Sequence, residues 1–181
     1  MAPEPLSWER QPGEPVDFDA FVHARTPSLI RAAYLLTGDQ HLAEDLVQTA
    51  LARTHLHWKK IEHHGGADAY ARKVMYHLQV SKWRRRRVAE VMPARVPDHP
   101  VRSHDERSVA RLALRQALMR LTTRQRAVLV LRYFEDMTEA ETARMLEISV
   151  GTVKSQAAKA LAKLRETAPE LAAFTTEEAT Q

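Results

Sequence analysis

The 181-residue sequence has no cysteine, only five glycines and few aromatic residues. The lack of cysteine excludes disulfides, thiol nucleophiles and cysteine-ligated zinc sites. No apolar run approaches the roughly 18–20 residues that a membrane-spanning helix needs. The first residues also lack the basic and apolar segments of a secretory signal. The sequence therefore predicts a protein of a reducing compartment, the cytoplasm, that makes no contact with a membrane.

Charge is distributed unevenly along the chain. Residues 1–66 carry nine acidic and six basic side chains, residues 67–102 carry three and nine, and residues 103–181 carry eleven and twelve. Within the last part, residues 149–165 hold four basic side chains and no acidic one. Two basic patches predict two contacts with a polyanion such as nucleic acid. Two solvated basic helix faces are the alternative.

Strand patterns are almost absent, and apolar residues recur at spacings of three and four, which predicts an all-α fold. Gly38 is expected to end the first helix and Asp39 to cap the second. Pro27 should kink or divide the first helix, because it cannot donate an intrahelical hydrogen bond. We expect a loop over residues 59–66 and a third helix over residues 67–87.

Prolines punctuate residues 88–102, which we expect to form a flexible linker between two small helical domains. The expected organisation is a flexible N-terminus over 1–16, a first domain over 17–87, the linker over 88–102, a second domain over 103–168 and a flexible tail over 169–181. Capping residues mark four helix starts in the second domain: Ser103 with Glu106, Thr122 with Gln125, Thr138 with Glu141, and Ser149.

Residues 138–164 have the pattern of a helix-turn-helix. Ala143 supplies the small side chain needed where two helices cross closely, and apolar residues surround the turn. Glu147 stands in the turn, where a left-handed backbone would cost about 1 kcal/mol. The second helix is expected to present five polar or basic side chains outward, namely Thr152, Lys154, Ser155, Gln156 and Lys159. A plain helical hairpin is the alternative, but the absence of acidic residues over 149–165 favours DNA contact.

With these motifs in view, the chain resembles the extracytoplasmic-function (ECF) sigma factors of the sigma-70 family. The segments AEDLVQTAL (residues 43–51) and SVGTVKS (residues 149–155) carry most of this resemblance, which is to the actinobacterial sigma-E subgroup and extends over residues 17–168. The resemblance implies a factor that brings core RNA polymerase to promoters, with sigma region 2 in the first domain and region 4 in the second. It implies binding to the clamp coiled coil of the largest polymerase subunit and to the flap of the second-largest. An anti-sigma protein is a further partner found in many relatives.

The resemblance also implies roles for individual residues. Asp45 and Gln48 match positions that contact the polymerase. The −10 element would be bound by Lys59, Lys60, Arg72, Lys73, His77, Trp83, Arg84, Arg85, Arg86 and Arg87. The −35 element would be bound by Arg132, Thr152, Lys154, Ser155, Gln156 and Lys159.

Physical chemistry agrees with this distribution, because separated DNA strands need stacking surfaces and cations to hold them. Trp83 and its basic neighbours offer both, although burial of Trp83 is an equal alternative. The sequence departs from the family pattern at three positions. His77 often corresponds to asparagine, Ser81 to an acidic residue and Ala158 to an aromatic or basic residue, so the contacts there are expected to differ.

Enzymatic and metal-binding functions find little support in the sequence. No nucleotide-binding loop, nucleophile elbow or zinc-protease motif is present, and we expect no catalytic residue and no cofactor. His55, His57, His63 and His64 cluster in sequence, but spacing on a helix directs the first two apart, and no metal site is expected. Two other functions stay open at this point: a stand-alone helix-turn-helix regulator, which would bind palindromic DNA as a dimer, and a basic protein-interaction module.

Overall fold

The computed structural model describes residues 17–61, 66–89 and 106–168, with side chains described for all of these except residues 82–89 and 106–110. The helices are α1 (Phe18–Thr37), α2 (Gln40–Leu56), α3 (Trp58–Ile61), α4 (Ala67–Ala89), α5 (Glu106–Met119), α6 (Thr123–Leu129), a π-helical turn (Val130–Phe134), α7 (Glu139–Leu146) and α8 (Val150–Thr167). These ranges contain no strand, which confirms the predicted all-α fold. None of the helices described is both long and apolar enough to cross a membrane.

The boundary between α1 and α2 follows the sequence prediction. Gly38 has a left-handed backbone (φ 71°), and its N–H donates to the carbonyl of Tyr34 at 2.7 Å. The Asp39 carboxylate caps α2 by accepting from the Leu42 N–H at 2.9 Å. Pro27, in contrast, does not divide α1, which is continuous from Phe18 to Thr37. Pro27 lies on the exposed side of the helix, where water can satisfy the carbonyl that its ring leaves unpaired.

The loop predicted over residues 59–66 begins instead with the helical turn α3. Trp58 anchors this turn in the core, where its ring lies 5.0 Å from that of Phe18 and 5.1 Å from that of Phe21, measured between centroids. This packing orders the turn, so Lys59 and Lys60 lie on a short helix rather than a loop. Residues 62–65 lie outside the described part. The predicted third helix is confirmed as α4.

Side-chain caps define the starts of the α-helices α6, α7 and α8. The capping boxes at Thr122 and at Thr138 are both present, and Ser149 accepts from the Thr152 N–H at 3.1 Å. These predictions are confirmed. Residue 103, the fourth predicted cap, lies outside the described residues, as does most of the predicted linker.

The helices before and after the linker pack against each other. One apolar core joins buried residues of α1, α2 and α4 with Ala127, Val130 and Leu131. Arg126 crosses the same boundary with its side chain buried. Its guanidinium donates to the carbonyls of Leu36 in α1 at 2.5 Å, Leu118 at 2.8 Å and Leu121 at 3.1 Å.

Burial lowers the pKa of Arg126 to about 10, still far above neutral pH, so the guanidinium stays charged. A buried charge is tolerated only when its donors are satisfied, and backbone carbonyls supply the acceptors here. Sequence patterns did not predict this contact, because it joins positions 90 residues apart.

Gly38 supports a first stability prediction. Its φ is positive, and an added Cβ would come within 2.5 Å of the Met119 Sδ. Gly38→Ala is therefore expected to lower the free energy of unfolding by about 1–2 kcal/mol, measured by urea denaturation. Gly151→Ala is the control, because Gly151 is helical and a Cβ there meets nothing nearer than Ser149 at 3.9 Å. This control should be neutral or stabilising by up to about 1 kcal/mol, and equal losses in both variants would contradict the prediction.

Candidate nucleic-acid interface

Helices α7 and α8 form the predicted helix-turn-helix. Buried Ala143 and Val153 pack with Val128 beneath the turn. Glu147 has the left-handed backbone anticipated for this position (φ 54°, ψ 47°). The Ile148 N–H donates to the carbonyl of Ala143 at 3.0 Å, which closes the turn. The arrangement fixes the orientation of α8, with Val153 and Ala160 buried and the opposite face exposed, as a helix that enters a DNA groove requires.

Three of the five polar side chains predicted to face outward from α8 are exposed, namely Lys154, Ser155 and Lys159. Thr152 and Gln156 are partly exposed. The Thr152 hydroxyl turns back to within 2.8 Å of the Ser149 hydroxyl at the helix cap. Gln156 lies one turn beyond buried Val153 and therefore borders the apolar stripe.

Lys154 and Arg132, two of the −35 candidates, have partners within residues 132–154. Lys154 Nζ lies 3.6 Å from a carboxylate oxygen of Glu139 on α7, and both side chains are partly exposed. The Arg132 guanidinium donates to the carbonyl of Met137, so it braces the loop between the π-helical turn and α7. Lys154 can therefore bind an external phosphate by leaving only the surface carboxylate of Glu139. Arg132 can do so only after its hydrogen bond to the Met137 carbonyl is broken.

Three −10 candidates on the basic helix α4 have partners in the C-terminal unit (residues 106–168); Arg72 and His77 are partly buried there and Lys73 is exposed. Arg72, 12% exposed, pairs with Glu135 beyond the π-helical turn and, through Nε, with Asp68 at 2.9 Å. Lys73 Nζ lies 2.9 Å from Glu147. His77 Nε2 lies 2.9 Å from the carbonyl oxygen of Met145.

Two further −10 candidates lie before α4. Lys59 and Lys60 are exposed on α3. The side chains of Trp83 and Arg84–Arg87 lie outside the described part of the chain, although their backbone continues α4.

Burial shapes the electrostatics where α4 meets the C-terminal unit. Desolvation raises the pKa of Glu135, against the lowering influence of Arg72. Burial acts to lower the pKa of Arg72, but the neighbouring carboxylates of Asp68 and Glu135 raise it overall. The Tyr76 hydroxyl is buried beside this pair, and desolvation raises its pKa well above the usual range. Sequence reasoning did not predict that Glu135 and Glu147 pair with residues of α4, because no local spacing relates them to that helix.

Asp45 and Gln48 lie together on the exposed face of α2. They are three positions apart, so they share one side of the helix. The opposite side is buried through Ala43, Leu46, Val47 and Ala50. Burial of this stripe fixes the orientation of α2 and leaves Asp45 and Gln48 accessible to a partner.

The histidines do not form a metal-binding group among the residues described. His55 packs 4.6 Å from the ring of Phe18, and His57 lies 5.7 Å from the ring of Tyr70, measured between centroids. The two rings thus have different neighbours. Residues 63 and 64 lie outside the described ranges.

Comparison with known protein families identifies two regions in the chain. Residues 15–88 match the family "Sigma-70 region 2" and residues 111–164 match "Sigma-70, region 4". The chain is 43% identical over 154 residues to the RNA polymerase sigma-E factor of Streptomyces coelicolor, covering 85% of this chain and 87% of the relative. It is 28% identical over 152 residues to the ECF RNA polymerase sigma factor SigM of Mycobacterium tuberculosis, covering 84% of this chain and 77% of that one.

A solved structure is also similar. It is the sigma factor RpoE in complex with the anti-sigma factor NepR from Bartonella quintana, with a TM-score of 0.65 and 25% identity over 83% of this chain and 95% of that one. Two matched regions and a relative of this identity and coverage establish the assignment. The chain belongs to the sigma-70 family and is an RNA polymerase sigma factor of the ECF group.

Proposed function

We propose that this sigma factor divides promoter recognition between its two helical units. The first, residues 17–87, would bind core polymerase through Asp45 and Gln48 and the −10 element through α3 and α4. The second, residues 103–168, would bind the −35 element through α8. The observation that carries this proposal is the exposed face of α8, where Lys154, Ser155 and Lys159 stand on the second helix of a helix-turn-helix.

The chemistry of the α8 face suits duplex DNA. Lysines neutralise phosphates and release counterions, while short hydroxyl side chains such as Ser155 can bond phosphates or base edges. Half-buried Thr152 and Gln156 border this face and belong to the proposed contact set. Arg132 joins the set only if its bond to the Met137 carbonyl is exchanged for a phosphate.

The chemistry of α3 and α4 suits a separated strand. Seven basic residues lie along α4, namely Arg72, Lys73, Lys82 and Arg84–Arg87, with Trp83 among them and with Lys59 and Lys60 preceding the helix. Unpairing and unstacking bases costs a few kcal/mol for each base, and stacking surfaces together with cations offset that cost.

Further parts of the proposal concern partners and place of action. The clamp coiled coil of the largest polymerase subunit would dock on α2, and the flap of the second-largest on the C-terminal unit. An anti-sigma protein is a proposed third partner, supported by the complex of the structural neighbour with its anti-sigma factor. We propose that the chain acts in the cytoplasm and supplies recognition, while the polymerase performs catalysis.

Run-off transcription with purified core polymerase and genomic promoter fragments tests the function. The chain is expected to yield transcripts with defined start sites that vanish when it is omitted. A stand-alone regulator would alter transcription only with a housekeeping sigma factor present, and an interaction module would yield no start sites of its own. Neither the stand-alone regulator nor the interaction module is favoured by the match of residues 15–88 to sigma region 2.

Lys159 gives a specific test of the −35 contact. Lys159→Ala is expected to weaken binding to promoter duplex by about 1 kcal/mol, roughly fivefold. It is also expected to lower the number of counterions released on binding, read from the slope of affinity against salt concentration, by about one. Electrophoretic mobility shifts at several salt concentrations measure both. Arg165→Ala is the control, because Arg165 is an exposed cation near the far end of the same helix. Equal losses in the two variants would remove Lys159 from the contact face.

A further inference from the structure

The two lysines on the exposed face of α8 have different surroundings. Lys154 Nζ lies 3.6 Å from a carboxylate oxygen of Glu139, the first residue of α7. Lys159 has no ion-pair partner in the described part of the chain. Lys154 lies in the first half of α8 and Lys159 in the second. The lysine nearer the start of the helix therefore approaches DNA together with a negative charge.

The local structure of α7 leaves the Glu139 carboxylate available to Lys154. The capping box of α7 is made by Thr138 and Glu141, so Glu139 takes no part in the cap. A carboxylate in the first turn is also favoured by the dipole of the helix. Apolar packing beneath the turn holds α7 against α8 and so sets the distance between the two charged side chains.

A phosphate and a base edge differ in how well they tolerate this carboxylate. An ammonium group has several N–H donors, so Lys154 can keep one on Glu139 and direct another to a neutral acceptor such as guanine O6 or N7. A phosphate at the same place is an anion, and Glu139 repels it. The carboxylate therefore weakens a phosphate contact of Lys154 more than it weakens a base contact.

The places of the two residues in the helix-turn-helix agree with this difference. In such units the N-terminal part of the second helix meets base edges in the major groove, and the first helix crosses the DNA backbone. Lys154 belongs to the former part and Glu139 to the latter. In that docking geometry the carboxylate comes close to the backbone while the lysine reaches the bases.

We propose that Glu139 is a positioning residue that directs Lys154 to a guanine of the −35 element and away from the phosphates of other sequences. The proposal rests on the −35 contact proposed above and adds a residue to it. Lys159, which has no such partner, contributes affinity for any duplex. Glu139 thus raises the ratio of specific to non-specific binding while lowering the affinity for DNA in general.

Binding of the full chain to a mixed-sequence DNA duplex tests this without knowledge of the promoter. Glu139→Gln is expected to bind that duplex about fivefold more tightly at low salt and to release about one more counterion, because Lys154 is then free to contact a phosphate. Fluorescence anisotropy at several salt concentrations measures both quantities. Glu166→Gln is the matched control, because Glu166 is an exposed acid near the far end of α8. This control should give a smaller gain in affinity and no additional counterion.

A double-mutant cycle assigns the gain to Lys154. In the Lys154→Ala background, Glu139→Gln should gain no more affinity than Glu166→Gln does, whereas in the Lys159→Ala background the full gain should remain. A gain that persists without Lys154, or no gain beyond the control in the parent chain, overturns the proposal. So does a Glu139→Gln variant that only loses free energy of unfolding in urea and releases no additional counterion, since Glu139 would then merely stabilise α7.

Sequence discrimination is measured on the promoters that run-off transcription defines. The ratio of affinities for promoter duplex and mixed-sequence duplex is expected to fall about fivefold in Glu139→Gln and to stay unchanged in Glu166→Gln. An unchanged ratio in Glu139→Gln overturns the role of Glu139 in specificity. A parent chain that gives no promoter-specific transcript refutes the proposed function, and the guanine contact with it, whereas the mixed-sequence cycle decides the coupling of Glu139 to Lys154 by itself.

Discussion

Replacing Arg126 by methionine is expected to destabilise the chain by about 3 kcal/mol or more, because buried carbonyls would lose their charged donor. The guanidinium donates to the carbonyls of Leu36, Leu118 and Leu121. Methionine fills similar space but donates no hydrogen bond. Urea denaturation followed by circular dichroism measures the loss in free energy of unfolding.

Two controls separate this contact from a general effect of charge. Arg124→Met removes an exposed arginine from the same helix and should cost less than about 0.5 kcal/mol. Arg126→Lys keeps a charge but lacks the planar fork that reaches several carbonyls, so an intermediate loss is expected. If Arg126→Met were as stable as Arg124→Met, the guanidinium would not be holding α1 to the α5–α6 junction.

Sequence reasoning succeeded where the cause of a structure is local. The left-handed Gly38, the caps at Asp39, Thr122, Thr138 and Ser149, and the strained turn at Glu147 each depend on side chains within four positions. Helix periodicity likewise predicted α4. These features were predictable because a cap or a turn satisfies its own backbone groups without help from distant residues.

Sequence reasoning failed where packing decides. Of the kink or break expected at Pro27, the break does not occur because a helix with a well-buried opposite face can lose one exposed hydrogen bond, and α3 exists because Trp58 is held by Phe18 and Phe21. Both outcomes depend on contacts that periodicity does not encode. Local propensity is a weak prior against such tertiary packing.

The functional surfaces divide in the same way. Exposure of Lys154, Ser155 and Lys159 followed from the charge pattern of α8 and the helix-turn-helix spacing. Arg72 and Lys73 also lie in a basic segment of the sequence, yet they pair with Glu135 and Glu147, which are distant in sequence. A run of basic residues predicts affinity for an anion, but it does not reveal which anion is bound when DNA is absent.

Reversing the charge of Asp45 is expected to weaken binding of core polymerase by about 2 kcal/mol, roughly 30-fold, if Asp45 lies at the centre of the proposed interface. The side chain is exposed on α2, whose opposite face is buried, so Asp45→Arg should leave the fold intact. Fluorescence anisotropy with labelled chain and unlabelled core polymerase measures the affinity.

Asp19→Arg is the matched control for this reversal, because Asp19 is an exposed acid on α1 outside the proposed interface. Both variants gain the same positive charge, so both should bind free DNA somewhat more tightly, and only Asp45→Arg should lose polymerase and run-off transcript. This combination separates docking on the polymerase from DNA affinity, which a basic helical protein can have without being a working initiation factor. Retention of polymerase affinity by Asp45→Arg would move the docking surface away from the exposed face of α2.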